Sequence, residues 1–429
     1  MDDPAFALEG EGSEGIDINT QTILLHASNH DVAALKPLLR IPGNASVQDP
    51  ETGFTPLHAA IAAYKDGDRV EEEEEVNIEK AKSTIEELFF SGAIWNDLDK
   101  NDETPGCLAW RLGQKELYQM CVNAGVRAEM LLGLMGGYEV LAGEDSEEEE
   151  IDVEVEAEAD NAGGENGANG HTNTEEHELA VGPAEEVLEA EKRVVNSEDY
   201  LNSNLTFTDT ALLDEDSNGV MMAWETDIMR RSVDLLLPGL PPGKRILNIG
   251  FGMGIIDRMF ADTKPATHHI IEAHPAVLAK LQQPDSEFGE KWTQSAEEGR
   301  YKIHAGKWQD VCPLLLQAGE VYDVIYFDTF GEDYSQLKYF FTEIVPGLLD
   351  ADGKFGFFNG LGADRRVCYD VYGKVVELDL CEAGMDVEWV DVEVPVEEMG
   401  KEGEGEWKGV RRRYWTLEVY RLPVATFMG

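Results

Sequence analysis

Lys244-Arg245-Ile246-Leu247-Asn248-Ile249-Gly250-Phe251-Gly252-Met253-Gly254-Ile255-Ile256-Asp257 is the stretch whose reading decides the fold. It follows the turn Pro241-Pro242-Gly243, runs apolar for a strand's length, and breaks into alternate glycines. The apolar run predicts a buried strand. The glycines predict a tight turn whose bare backbone lets a ligand lie against it. A helix begins at once and turns its unpaired N–H groups toward that ligand.

Such a turn alone also suits a dinucleotide. The spacing here is GxGxG, and GxGxxG fails because position 255 is Ile, which favours S-adenosylmethionine over a nicotinamide cofactor. Outward from the turn, His268-His269-Ile270-Ile271-Glu272-Ala273-His274 predicts a second strand with an acid 22 residues beyond Gly250. An acid there accepts hydrogen bonds from two ribose hydroxyls, the plainer alternative being an exposed strand end. A third strand, Tyr301 to His304, leads to Gly306-Lys307-Trp308-Gln309, which would set Trp308 and Gln309 beside the adenine. A fourth, Tyr322 to Asp328, ends in the central cleft. Pro346 to Gly353 reads as the turn before a fifth strand, Lys354 to Phe358. Asp386 to Pro395 and Arg412 to Arg421 alternate apolar and polar residues and predict a closing antiparallel pair. The alternation of strands and helices predicts an α/β domain over residues 192–429, with a seven-stranded, Rossmann-like, mainly parallel sheet.

Charge and cysteines bound what the chain can do. With 34 Lys+Arg against 86 Asp+Glu, the net charge of −52 repels phosphate backbones. It argues against direct nucleic-acid binding and favours cationic protein partners, although any single acidic run reads more simply as a solubilising one. Five scattered cysteines without a CxxC pair fit a reduced intracellular protein with no zinc site. The start Met1-Asp2-Asp3 has no signal-peptide character, and no apolar run approaches the ~20 residues of a membrane span. Cytoplasm and nucleus are the expected compartments. Residues 144–191, carrying Glu147-Glu148-Glu149-Glu150, cannot bury enough apolar surface to offset chain entropy and are expected to form a disordered linker.

Residues 20–143 contain repeats. Leu25-His26-Ala27 recurs as Leu57-His58-Ala59, 32 residues on, inside Thr55-Pro56-Leu57-His58-Ala59-Ala60. This resembles the ankyrin helix start, in which Thr caps the helix and Pro fits its first turn. A degenerate copy begins at Thr104-Pro105. The acidic run Asp66 to Glu75 reads as an insertion between helices, and Asn77 to Ser91 as the second helix, with Ile85, Leu88 and Phe89 inward. His26 and His58 are expected to hydrogen-bond within the stack. An all-α ankyrin array is therefore expected, either binding a protein partner or merely capping the catalytic domain.

Met221-Met222-Ala223-Trp224-Glu225-Thr226-Asp227-Ile228-Met229, taken with GFGMG, Ile271-Glu272-Ala273-His274 and Phe327-Asp328-Thr329-Phe330, resembles guanidinoacetate N-methyltransferase. The added repeats and acidic linker resemble a narrower relative, the fungal type IV protein arginine N-methyltransferases, which modify the internal, delta nitrogen of arginine. That resemblance implies an S-adenosylmethionine pocket lined by Tyr200, Met229, Gly250, Phe251, Gly252, Met253, Gly254, Ile255, Glu272, Ala273, His274, Trp308, Gln309 and Asp328, with Met221 a further contact. It also implies a basic, ribosomal protein as target. Asn248 replaces the acid many such enzymes carry before the glycines, while Asp227 and Ile228 replace a Pro and a Tyr of the small-molecule enzyme.

A guanidinium is a poor nucleophile with a pKa above ~12. Two carboxylates can grip it with paired, charge-assisted hydrogen bonds and stabilise the arriving positive charge. Glu225 and Asp328 are the expected catalytic pair, Glu225 orienting the guanidino group and Asp328 accepting its proton or hydrogen bond. The alternatives are a helix N-terminal acid for Glu225 and a cofactor contact alone for Asp328. Small-molecule guanidino methylation and a non-catalytic scaffold are the competing functions. No metal is expected, and the chain is expected to be a monomer.

Overall fold

The computed structural model describes residues 17–64, 71–143 and 196–429. The segment read as an acidic linker lies outside them. Three short strands, β1 (Thr206–Phe207), β2 (Ala211–Leu213) and β3 (Gly219–Met222), form a small antiparallel sheet. The large sheet comprises β4 (Arg245–Ile249), β5 (Thr267–Glu272), β6 (Tyr301–Ala305), β7 (Tyr322–Phe327), β8 (Leu349–Phe357), β9 (Met385–Glu393) and β10 (Val419–Phe427). Its order is β6-β5-β4-β7-β8-β10-β9, the first five parallel and β10 antiparallel to both its neighbours.

The central strands β4, β5 and β7 are buried along nearly their whole length, on both faces, as parallel strands in the middle of a sheet are. All six residues of β5 are buried, two histidines included. Each has partners: His268 Nε2 lies 2.9 Å from Asp257, and His269 bonds the Tyr322 hydroxyl at 2.7 Å and the Gly299 carbonyl at 2.9 Å. Buried imidazoles need such partners to offset desolvation.

Two strand boundaries differ from expectation. A short helix, Val345–Leu348, replaces the start of the turn, and β8 begins at Leu349. The turn-like Asp350-Ala351-Asp352-Gly353 is absorbed as an irregularity in the β7–β8 register. At the C-terminal end Arg412 to Glu418 is loop, and β10 runs through Pro423 to Phe427, pairing from Val419↔Glu393 to Phe427↔Met385. The alternation read there is real burial of Trp415 and Leu417, but it comes from a loop pressed into the core.

The helices before residue 143 form three pairs: Ile18–Ser28 with Val32–Leu38, Pro56–Ala63 with Glu71–Phe90, and Pro105–Arg111 with Lys115–Gly143. First helices pack side by side, as do second helices. Asp17, Thr55 and Thr104 cap the first helices through their side chains. The repeat is thus marked by caps, and the Leu-His-Ala correspondence is out of register: Leu25-His26-Ala27 lies late in its helix, Leu57-His58-Ala59 at the start of its own. His58 links successive pairs, bonding Thr55 through Nδ1 and the Glu103 carbonyl at 3.0 Å through Nε2. The His26 ring stands 3.8 Å from the Asp31 carboxylate, and His30 instead reaches the Ala60 carbonyl at 2.8 Å. Of the supposed acidic insertion, Glu71 onward is helix, with Ile85 and Leu88 buried in the pair.

The array ends on the helix Arg366–Glu382 that covers the large sheet. Val367, Val371 and Val375 are buried in the helical core, each such burial stabilising by roughly 1.5–3 kcal/mol. Glycines permit the approach: a Cβ on Gly106 would stand 2.5 Å from Val367, and one on Gly125 would stand 2.6 Å from Val371. Around them Tyr118 donates to Asp370, Tyr372 donates to Glu129 at 3.2 Å, and Arg366 stacks over Trp110 at 4.4 Å. Gly106→Leu is therefore expected to destabilise the protein by about 1–3 kcal/mol. An unchanged thermal midpoint would contradict this packing.

Candidate active site

The glycine turn is built by close approach. Gly250 (φ +90°) lies under the end of β7, where its Cβ would stand 1.8 Å from the Asp328 carbonyl oxygen. The Asp328 N–H donates to the Ile249 carbonyl at 2.8 Å, pinning the two strand ends together. Gly252 (φ +53°) rests on Met221, whose Sδ takes the Met253 N–H at 3.2 Å. Glu272 ties the turn to β5: its carboxylate accepts from the N–H groups of Phe251 (3.0 Å), Gly252 (3.4 Å) and His274 (2.6 Å). Beneath, Asn248 Nδ2 donates to the Gly250 carbonyl and to Asp257, both at 2.8 Å, so this departure from the usual acid braces the loop from below.

A pocket opens over the turn. Tyr200, Gly250, Gly252 and Glu272 line it, with Ala273, Trp308, Gln309 and Asp328 on the facing elements. Met221, Lys307, Phe330 and Glu332 also line it, and Glu332 accepts the Trp308 indole N–H at 3.0 Å. Other residues expected there do not line it. Phe251 packs on Phe288 at 5.4 Å, Met229 is fully buried in the core, and Gly254 and Ile255 begin the helix Ile255–Asp262. Met253 presents its backbone to Met221. His274 caps the helix Pro275–Leu281 through Nδ1, with Nε2 at 3.1 Å from the Tyr200 carbonyl oxygen. These residues shape the glycine turn and its surroundings from behind the pocket wall. The pocket suits an adenosyl ligand: its floor tolerates no Cβ at Gly250, and its walls offer Glu272 to a ribose and Trp308 to a ring.

A second pocket adjoins the first through Val220, Asp328, Thr329, Phe330 and Glu332. Its own wall holds Glu225 and Tyr414 among Phe327, Phe357, Phe358 and Leu361, and no Lys, Arg or His among the described residues lines it. Asp328 thus stands where the two pockets meet, its Oδ2 buried without a hydrogen-bond partner among the described residues. Burial, with the charge of Asp257 behind it, pushes the Asp328 carboxyl up to about 7. Glu225 stands before the helix Thr226–Leu236 but caps nothing; its carboxylate takes the Tyr414 hydroxyl instead. Burial first, then Asp328, raises Glu225 to about 8, against the hydroxyl's opposing pull.

Tyr414 and Glu332 escape sequence reasoning. Tyr414 is 189 residues from Glu225 and sits in the segment taken for a strand, where the alternate buried Trp415 and Leu417 carry no sign of a partner so distant.

Residues 198–359 match the guanidinoacetate N-methyltransferase family model. Among solved structures, Aeropyrum pernix fibrillarin with bound S-adenosyl-L-methionine is similar at 12% identity and a TM-score of 0.30, over 54% of this chain and 85% of that one. The sheet order, the glycine turn after β4 and the acid ending β5 define an S-adenosylmethionine-dependent methyltransferase. The chain is 56% identical to protein arginine N-methyltransferase 2 of Gibberella zeae, over 92% of this chain and 90% of the relative. It is 55% identical to that of Neurospora crassa, over 97% of each. It belongs to the protein arginine N-methyltransferase 2 family.

Gly250→Ala must part the β4 and β7 ends. Calorimetry should show cofactor affinity falling by at least about tenfold, since a backbone clash has no flexible side chain to absorb it; an unchanged affinity would refute the close approach.

Proposed function

We propose that the protein transfers a methyl group from S-adenosylmethionine to the delta nitrogen of an arginine in a basic target protein. The observation that carries this reading is Asp328, shared by the cofactor pocket and a second pocket walled by carboxylates. That second pocket suits a cation. Guanidinoacetate would bring its own carboxylate toward Glu225, Asp328 and Glu332, with no lining Lys, Arg or His among the described residues to offset it. An arginine side chain brings only the guanidinium and an apolar stem, which the phenylalanines can cover.

When bound, S-adenosylmethionine supplies an electrophilic methyl group. Glu225 and Asp328 hold the guanidino group from two sides, fixing one nitrogen toward the cofactor pocket. Asp328, raised to about 7, takes the proton that this nitrogen sheds as the new carbon–nitrogen bond forms. Both carboxylates counter the positive charge that arrives with the methyl group. Delta selectivity rests on the resemblance to type IV enzymes, as does a ribosomal protein as target. The charge of −52 would draw such a basic protein in cytoplasm or nucleus. The three capped helix pairs, with Thr-Pro starts at Thr55 and Thr104, support an ankyrin array of about residues 20–143 that orients the target.

Glu225→Gln should keep cofactor affinity while turnover falls about a hundredfold or more. The assay is methyl transfer from labelled cofactor into the basic proteins of a cell extract, with guanidinoacetate offered in parallel. Fragmentation of the labelled protein then reads the nitrogen. Methylation of guanidinoacetate alone, or a terminal-nitrogen label, would refute the assignment.

A further inference from the structure

The loop between β9 and β10 carries Tyr414 into the acceptor pocket and is held at both ends. The Arg411 N–H donates to the Ser217 carbonyl at 2.8 Å, and the Thr416 N–H to the Ala363 carbonyl at 3.1 Å. The Tyr414 ring lies so close to Gly219 that a Cβ there would stand 2.8 Å from its Cε1. Trp407 packs against its edge at 5.2 Å and Trp224 beside it at 5.9 Å. The hydroxyl accepts the Trp224 indole N–H at 3.1 Å, which fixes its direction, and donates its own proton to Glu225 Oε1.

We infer that Tyr414 is the positioning residue of the acceptor site: by fixing the Glu225 carboxylate in direction and holding it as a hydrogen-bond acceptor, it sets how the guanidino group is gripped. The inference rests on Glu225 being the group that orients the acceptor. Glu225 is buried and faces Asp328 at the end of β7 and Tyr326 within it, with Glu332 on the same pocket wall. Burial and the Asp328 charge both favour a neutral Glu225, which would turn an O–H toward the guanidinium in place of one acceptor oxygen and lose the charge that holds it. The Tyr414 hydroxyl opposes them, helped by the Met222 backbone. An ionised Glu225 serves above its pKa and is lost as pH falls, so removing the hydroxyl must move the acid limb of activity to higher pH.

The test is Tyr414→Phe, which keeps the ring. Methyl transfer into the basic proteins of a cell extract should fall about tenfold near neutral pH. Its acid limb should move up by about one pH unit, with cofactor affinity unchanged. A slower enzyme whose limb does not move has lost packing alone and overturns the inference. Infrared titration of the Glu225 carboxyl, assigned by subtracting the Glu225→Gln spectrum, reads the same shift without an acceptor. If Tyr414→Phe does not fold, Gly219→Ala displaces the ring with its hydroxyl intact; the same upward shift is expected, and an unmoved carboxyl overturns the inference. Normal turnover in Glu225→Gln would instead sink the reading on which the inference rests, whereas an inactive Glu225→Gln beside an unshifted Tyr414→Phe sinks the role of Tyr414 alone.

Discussion

The Asp328 carbonyl occupies the place a side chain on Gly250 would need, and the site is organised around that approach. It brings the ends of two parallel strands together beneath one loop. The loop becomes the floor of the cofactor pocket, and the Asp328 side chain is left at the boundary with the acceptor pocket. A residue so placed can belong to both pockets only because the backbone beneath it is this tight. Glu272 and Asn248 serve the same end: one holds the loop to β5 from the side, the other braces it from below.

A buried Glu225 and a half-buried Asp328 facing one pocket are costly to ionise, and no Lys, Arg or His among the described residues lines it. That cost would fall if a cationic ligand completed the site. On the proposed reading, a guanidinium would offset burial for both groups at once and return them to the ionised state. The same arrangement disfavours an acceptor with its own carboxylate. The helical array contributes by packing on Arg366–Glu382, the helix that follows the Gly360-Leu361 wall of the acceptor pocket.

What was legible in the sequence was local. The glycine turn, the acid ending β5 and the acid ending β7 each follow from a strand running into a loop, a pattern contained within a few residues. What was not legible depends on distant partners. Nothing near Tyr414 announces Glu225, and the buried Trp415 and Leu417 imitate a strand because a loop pressed into a core also alternates. Asn248 reads as a departure until Asp257 is seen beside it. Among the repeats, the Leu-His-Ala tripeptides align by identity while the helices align by their caps, so His26 does not take the place of His58.

The most direct measurement is the proton balance of acceptor binding. A basic arginine peptide would be titrated into the protein loaded with S-adenosylhomocysteine, near pH 7.5, in two buffers of different ionisation heat. With Asp328 at about 7 and Glu225 at about 8, part of the pair is protonated before the peptide arrives. Net proton release on binding is the predicted result. Binding with no proton release would contradict a guanidinium site made of these two carboxylates.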